Sequence, residues 1–270
     1  MHSSARRLAG VTTLAVGLLL SGCGNGSPSS SVKQEDSLAI VAGAQVASQK
    51  AGSAKLAMTM DMTISGQSFS ISGEGAMDFV KKLGKLSLTM PNPAGGGSLN
   101  IDEVMTDTTI YVKSPLIPTG GKPWTALDLK EMLGGSLSQL SAGADPTSGL
   151  EMLNGAKSVT KVGTESIRGV QTTHYKAVVD LNKALANKPA AVRAKLESYR
   201  KLLGTQVNDY PIEVWIDGKG RPAKFTMTIE VPASTATQNQ AVAMTMGIEM
   251  FDYGSPVQVT VPPASQVNHK

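Results

Sequence analysis

The fold is decided by residues 54–64, which read Ala-Lys-Leu-Ala-Met-Thr-Met-Asp-Met-Thr-Ile. Every second residue from Leu56 to Ile64 is apolar, and the residues between them are mostly polar. Successive side chains of a β-strand point to opposite faces of the sheet, so this alternation predicts a strand with one buried face and one solvated face. Such a strand needs a cover on its apolar side only.

The same alternation recurs along most of the chain and predicts a largely antiparallel sheet. Helical spacing interrupts it at three places, which are residues 37–52, 128–140 and 192–203, with a short helical piece near residues 150–153. The predicted fold class is therefore α+β, with one domain over residues 36–265 and a short tail at 266–270. About ten strands are expected, centred on residues 54–64, 69–77, 86–90, 99–101, 110–112, 158–162, 173–179, 212–216, 225–231 and 242–250.

The predicted helix over residues 128–140 has a weak centre. Asp128 followed by Glu131 is an acidic variant of the capping box, and the apolar residues behind it form a stripe at helical spacing. Gly134 and Gly135 lie in the middle, and each costs about 1 kcal/mol against alanine in a helix interior. The segment is either a poor core helix or a movable flap over a cavity. In the second case the gate residues are Asp128, Met132, Leu133, Gly134, Gly135 and Leu137.

The N-terminus has the pattern of a secretory signal. Arg6 and Arg7 precede an apolar run at residues 8–20, which is too short for a comfortable membrane span. Leu20-Ser21-Gly22-Cys23 follows and resembles a bacterial lipobox, which implies cleavage after residue 22 and lipidation of Cys23, the sole cysteine. Residues 1–22 are thus predicted to be a lipoprotein signal peptide. Residues 23–35 are predicted to form a flexible tether.

Composition argues against several classes of function. The formal charge of +4 falls to +2 without Arg6 and Arg7, and aromatic residues make up only 4% of the chain, so nucleic acid is an unexpected partner. His174 alternates with Thr172 and Lys176 on a polar strand face and is expected to be solvated. No second ligand or nucleophile stands at motif spacing around it. We therefore predict no enzyme activity, no metal and no cofactor.

The whole pattern resembles the actinobacterial LppX/LprG lipoprotein family, whose fold is similar to that of the LolA and LolB lipoprotein-sorting proteins. The resemblance implies an incomplete antiparallel β-barrel wrapped over a few helices. It is carried by the lipobox at Cys23 together with four later segments, which are residues 124–129 (Trp-Thr-Ala-Leu-Asp-Leu), 163–175 (ending Thr-Thr-His-Tyr), 211–222 (Pro-Ile-Glu-Val-Trp-Ile-Asp-Gly-Lys-Gly-Arg-Pro) and 252–257 (Asp-Tyr-Gly-Ser-Pro-Val).

The resemblance also implies a function, namely a carrier that holds the acyl chains of a lipid or lipoglycan in an apolar cavity for lipid transport or envelope assembly. The chain contains thirteen methionines, and flexible, polarisable side chains of this kind suit irregular apolar ligands as well as ordinary cores. The alternative is a surface scaffold lipoprotein with a packed core. The predicted cavity lining consists of Leu56, Met58, Met60, Met62, Phe225, Met227, Met244 and Met246.

These inferences place the protein at the outer face of the plasma membrane, held by the lipid on Cys23. The expected partners are that membrane and a lipid or lipoglycan ligand. No protein partner is indicated, and a monomer is expected.

Overall fold

The structure is a computed structural model that describes residues 30–92, 94–117, 120–128, 150, 152–186, 193, 209–233 and 239–269. Its helices are α1 (Ser30–Ala51) and α2 (Leu181–Leu185), with short 3₁₀ helices at Leu153–Gly155 and Ala264–Gln266. The strands are β1 (Ser53–Ile64), β2 (Gln67–Asp78), β3 (Leu83–Pro91), β4 (Ser98–Met105), β5 (Thr109–Lys113), β6 (Trp124–Asp128), β7 (Ala156–Ile167), β8 (Val170–Asp180), β9 (Asp209–Asp217), β10 (Pro222–Val231), β11 (Val242–Phe251) and β12 (Val267–His269).

All twelve strands belong to one sheet, in the order β12-β6-β5-β4-β3-β2-β1-β11-β10-β9-β8-β7. Neighbouring strands are antiparallel, except that β12 pairs with β6 in parallel. The strands β12 and β7 form the two edges, so the sheet is open. The predicted fold, an incomplete antiparallel barrel with few helices, is thereby confirmed.

The predicted number of about ten strands is too low because two short strands carry too little pattern. β6 has five residues and β12 has three, which is less than a clear alternation requires. Asp128 was expected to begin a helix, and this is wrong. It ends β6, where it is in register with Thr109 of β5.

The helices agree with the sequence only in part. α1 begins at Ser30, well before Ser37, and ends where Gly52 adopts a positive φ of 82°. α2 was not predicted; its N-cap is Asp180, whose side chain accepts a hydrogen bond from the backbone N–H of Lys183. The rest of the helix predicted over residues 128–140 lies outside the described residues, as does the helix predicted over residues 192–203 apart from Arg193. Within the described ranges, no helix combines the length and the apolar character needed to cross a bilayer.

The core lies between α1 and one face of the sheet, which we call the inner face. Val41 and Ala44 of α1 and Leu150 and Leu153 are fully buried in the same cluster as the apolar residues of β1 and β7–β11. α1 packs mainly against β7 and also contacts β1, β9 and β10. The helix is therefore the described cover of the inner face, and it lies over one part of that face.

Candidate functional site

The inner face of β1, β10 and β11 is continuously apolar. Met60 is in register with Met246 of β11, which is in turn in register with Met227 of β10. Residues paired across antiparallel strands project to the same face, so these methionines lie side by side. The structure thus brings all eight predicted lining residues onto one face. That they line a cavity stays a prediction.

Burial along the inner face falls from one end of the strands to the other. On β1 the exposed fraction is 2% at Leu56, 6% at Met58 and 9% at Met60, and Met62 is only partly buried. β11 shows the same trend, from Met250 at the deep end to the partly buried Met244. The inner face is therefore a closed core beside Gly52 and becomes accessible near the β1–β2 turn.

Six of the partly exposed apolar side chains of the inner face form a group that we call the half-buried band. All six pack against the core while keeping some exposed surface, and together they come from six different strands. Partly exposed apolar side chains on one face can contact an apolar ligand. The members are Met62, Ile71, Leu88, Ile101, Met227 and Met244.

Two glycines of β2 lie close to β3 beside this band. Gly73 and Gly75 of β2 are in register with Met58 and Leu56, so their absent side chains would project from the inner face. A Cβ atom on Gly73 would lie 2.8 Å from the carbonyl oxygen of Ser87, which is closer than packed atoms tolerate. Glycines in strand interiors typically mark barrel corners, and here they allow β2 and β3 to approach closely.

Two polar side chains interrupt the apolar inner face on strands β4 and β6, toward the β12 edge of the sheet. Glu103 of β4 and Thr125 of β6 are both in register with Val112 of β5, so all three share one cross-strand row. The Oε2 atom of Glu103 and the Oγ1 atom of Thr125 are buried without a hydrogen-bond partner. Burial raises the pKa of Glu103 to about 7. Sequence reasoning missed both residues, although Glu103 is in phase with Leu99, Ile101 and Met105.

His174 is buried on the outer face, and the expectation that it is solvated is wrong. Its Nδ1 atom lies 3.0 Å from Glu165 Oε1, and its Nε2 atom lies 2.6 Å from Glu213 Oε2. The imidazole ring stacks on Trp215 at 4.1 Å between centroids, which leaves the side chain 7% exposed. Both ring nitrogens therefore face carboxylate oxygens.

Three of the segments that carry the family resemblance contact one another in pairs. His174 belongs to the segment 163–175 and stacks on Trp215 of the segment 211–222. From the second segment, Arg221 places its guanidinium 4.6 Å from the ring centroid of Tyr253. The Tyr253 hydroxyl donates a 2.7 Å hydrogen bond to the carbonyl oxygen of Pro222. These segments therefore contribute to the structure of the sheet.

The turn after β9 is held by Asp217. One carboxylate oxygen accepts hydrogen bonds from the backbone N–H groups of Lys219 and Arg221, and the other accepts from Arg221 Nε. Burial opposes ionisation of this carboxyl, but the hydrogen bonds and the charge of Arg221 outweigh it, so the pKa of Asp217 is lowered. The β9–β10 connection is thus fixed by an ion pair.

Within the described residues, no three His, Cys, Asp or Glu side chains are grouped as a metal site requires. Two predicted features lie outside these residues, namely the lipidation site Cys23 and the gate residues Met132, Leu133, Gly134, Gly135 and Leu137.

No family model matches the chain. An uncharacterized 31.2 kDa protein from the rplA–rplJ intergenic region of Streptomyces griseus is 26% identical over 243 residues, which are 83% of this chain and 77% of that protein. Among solved structures, lipoprotein LppX of Mycobacterium tuberculosis is similar over 84% of this chain and 99% of its own, with 17% identity and a TM-score of 0.46.

LprF from Mycobacterium bovis is similar over 84% of this chain and 97% of its own, with 12% identity and a TM-score of 0.44. A putative outer membrane lipoprotein-sorting protein domain from Vibrio parahaemolyticus is similar over 81% and 93%, with 8% identity and a TM-score of 0.32.

Proposed function

We propose that this protein is a membrane-anchored lipoprotein of the cell envelope that binds the acyl chains of a lipid or lipoglycan against the inner face of its sheet. Its role is lipid transport or envelope assembly. A lipid on Cys23 anchors it to the outer face of the plasma membrane, since acyl chains contribute about 0.8 kcal/mol per buried CH₂.

The observation that carries this proposal is the half-buried band. Alkyl chains laid against Met62, Met227 and Met244 are removed from water, at about 25 cal/mol per Å² of apolar surface. Methionine side chains adapt to irregular partners because they are unbranched and polarisable. Binding by this face needs no covalent chemistry.

A charge placed in the band tests the proposal. We expect Met244→Glu to reduce binding of an acyl lipid at least tenfold, because the carboxylate would have to be desolvated beside the bound chain. Thr245→Glu is the matched control, since Thr245 is adjacent in β11 but exposed on the outer face. Native mass spectrometry of each protein, purified from its own host, measures the fraction that carries lipid.

Absence of co-purified lipid from the unmodified protein, together with no stabilisation by added lipid, would contradict the proposal. That result would favour the alternative function, a surface scaffold lipoprotein with a packed core. Equal lipid occupancy in the two variants would show that the acyl chains bind elsewhere.

A further inference from the structure

The polar pair on the inner face consists of Glu103 and Thr125. Glu103 lies between Leu86 of β3 and Val112 of β5 in the cross-strand register. Thr125 follows on the far side of Val112. Since neighbouring strands lie about 4.8 Å apart, the two polar residues are separated by about 10 Å along one row of an otherwise apolar surface.

Glu103 has apolar neighbours in every direction on the inner face. Leu86 and Val112 flank it across the strands, and Ile101 and Met105 flank it along β4. The lysines nearest in register point to the outer face, where Lys113 pairs with Asp102 at 3.9 Å. The Oε2 atom of Glu103 is buried without a hydrogen bond, so no cation of the described residues compensates its burial.

Thr125 is likewise a buried polar residue without a partner, but its side chain is uncharged. Its side chain is completely buried, and its Oγ1 atom has no hydrogen-bond partner. Valine has the same shape and would fill this position without an unpaired hydroxyl. A buried polar atom left without a partner destabilises a fold, and most such atoms in native proteins are paired with protein or with ordered water.

We propose that Glu103 and Thr125 bind the uncharged, hydroxyl-bearing part of an acyl lipid, such as a glycerol or sugar unit, while the half-buried band holds the acyl chains. This inference rests on the proposed function and adds to it the polar chemistry of the ligand and its orientation along the sheet. The hydroxyl-bearing end lies at β4–β6, and the acyl chains run toward β1, β11 and β10.

The chemistry of the two side chains selects this kind of group. Because burial raises the pKa of Glu103 to about 7, much of the carboxyl is protonated near neutral pH and both donates and accepts hydrogen bonds. The hydroxyl of Thr125 also does both. A lipid hydroxyl has the same dual character, whereas a phosphate would place negative charge beside a carboxyl group that has no cation among the described residues close by.

The test compares two probe lipids with the same acyl chain, namely monoolein, which has two free hydroxyls, and methyl oleate, which has none. We expect the ratio of the affinities for monoolein and methyl oleate to fall about tenfold in Glu103→Leu and severalfold in Thr125→Val, with methyl oleate binding unchanged. A site that hydrogen-bonds a hydroxyl discriminates strongly against an analogue lacking it.

Two further variants control this experiment. Glu103→Gln keeps hydrogen-bonding capacity without a charge and should retain most of the preference for monoolein. Glu230→Leu replaces an exposed glutamate on the outer face of β10 and should leave the affinity ratio unchanged. Thermal unfolding without lipid should show Thr125→Val to be at least as stable as the unmodified protein.

The outcomes separate this inference from the proposed function. If both lipids bind and the ratio is the same in Glu103→Leu, Thr125→Val and the unmodified protein, the hydroxyl site is overturned while acyl binding stands. If the unmodified protein binds neither lipid, the proposed function and this inference fail together.

Discussion

Burial of Glu103 among apolar side chains makes the free energy of unfolding depend on pH. Its pKa is raised from 4.5 to about 7 in the folded protein, so the folded state holds this proton over a range in which the unfolded state has released it. At 1.36 kcal/mol per pKa unit, the associated stability is at most about 3 kcal/mol. This contribution is present below pH 4.5 and is lost as the pH rises through 7.

Glu103→Gln should remove that dependence. We expect urea unfolding to show the unmodified protein losing stability, relative to Glu103→Gln, between about pH 4.5 and 7. The difference in stability between the two proteins should level off above that range, because Glu103 is then ionised in both the folded and the unfolded state. Parallel stability curves for the two proteins from pH 4 to pH 8 would contradict the burial of this carboxyl in an apolar environment.

His174 makes a second prediction at the scale of single residues. His174→Ala removes the common partner of Glu165 and Glu213 and the stacking surface of Trp215. Lost hydrogen bonds to charged groups cost roughly 1–3 kcal/mol each when the remaining group is buried. Both glutamates are partly exposed, so we expect His174→Ala to lower the free energy of unfolding by about 1 kcal/mol in total. Chemical denaturation measures this loss.

His174→Phe separates the two contributions, since phenylalanine keeps an aromatic ring over Trp215 but has no ring nitrogens. Its stability should lie between those of His174→Ala and the unmodified protein. If both variants were as stable as the unmodified protein, the cluster around His174 would have no structural role.

The sequence predicted the apolar residues of the site better than the polar ones. Period-2 alternation assigns Met60, Met227 and Met246 to one face because geometry alone sets the side on which they lie. The same alternation places His174 on the outer face and therefore predicts that it is solvated. This prediction is wrong because Trp215, from the neighbouring strand, covers the imidazole ring. Burial on an outer face depends on cross-strand neighbours, which a single strand does not reveal.

At the scale of single elements, the close approach of β2 and β3 predicts that a side chain at Gly73 lowers stability. Gly73→Ala places a methyl group against the carbonyl oxygen of Ser87 and against Leu88, so β2 and β3 would have to separate. Overpacking of this kind typically costs about 1–3 kcal/mol. The measurement is the midpoint of urea unfolding.

Gly163→Ala in β7 is the matched control for this change. A Cβ atom there meets no other atom within 4 Å, so we expect its stability to stay within about 0.5 kcal/mol of the unmodified protein. Similar losses in both variants would mean that strand glycines in general, and not the close approach of β2 and β3, set the stability.

Strand length determined which strands could be predicted from the sequence. β1, β10 and β11 each contain ten or more residues and show their alternation clearly. β6 and β12 are too short to do so, and β12 joins the sheet through pairing with β6, a contact distant in sequence. The start of α1 was misplaced because the polar residues before Ser37 give little helical periodicity.

At the scale of the whole molecule, the buried part of the inner face and the half-buried band have different roles. α1, Leu150 and Leu153 close the deep part, and this packed region stabilises the fold. The half-buried band lies beyond that cover and is the surface we assign to acyl chains. The polar pair Glu103 and Thr125 extends the same face toward the β12 edge of the sheet.

Photo-crosslinking tests the central claim most directly. A lipid with a diazirine in its acyl chain should, after irradiation and peptide mapping, label residues of the half-buried band, above all Met62, Met227 and Met244. Unlabelled lipid in excess should suppress this labelling. Labelling that falls mainly on outer-face residues such as Thr228 and Thr245, or that excess lipid does not suppress, would contradict the claim that acyl chains bind the inner face.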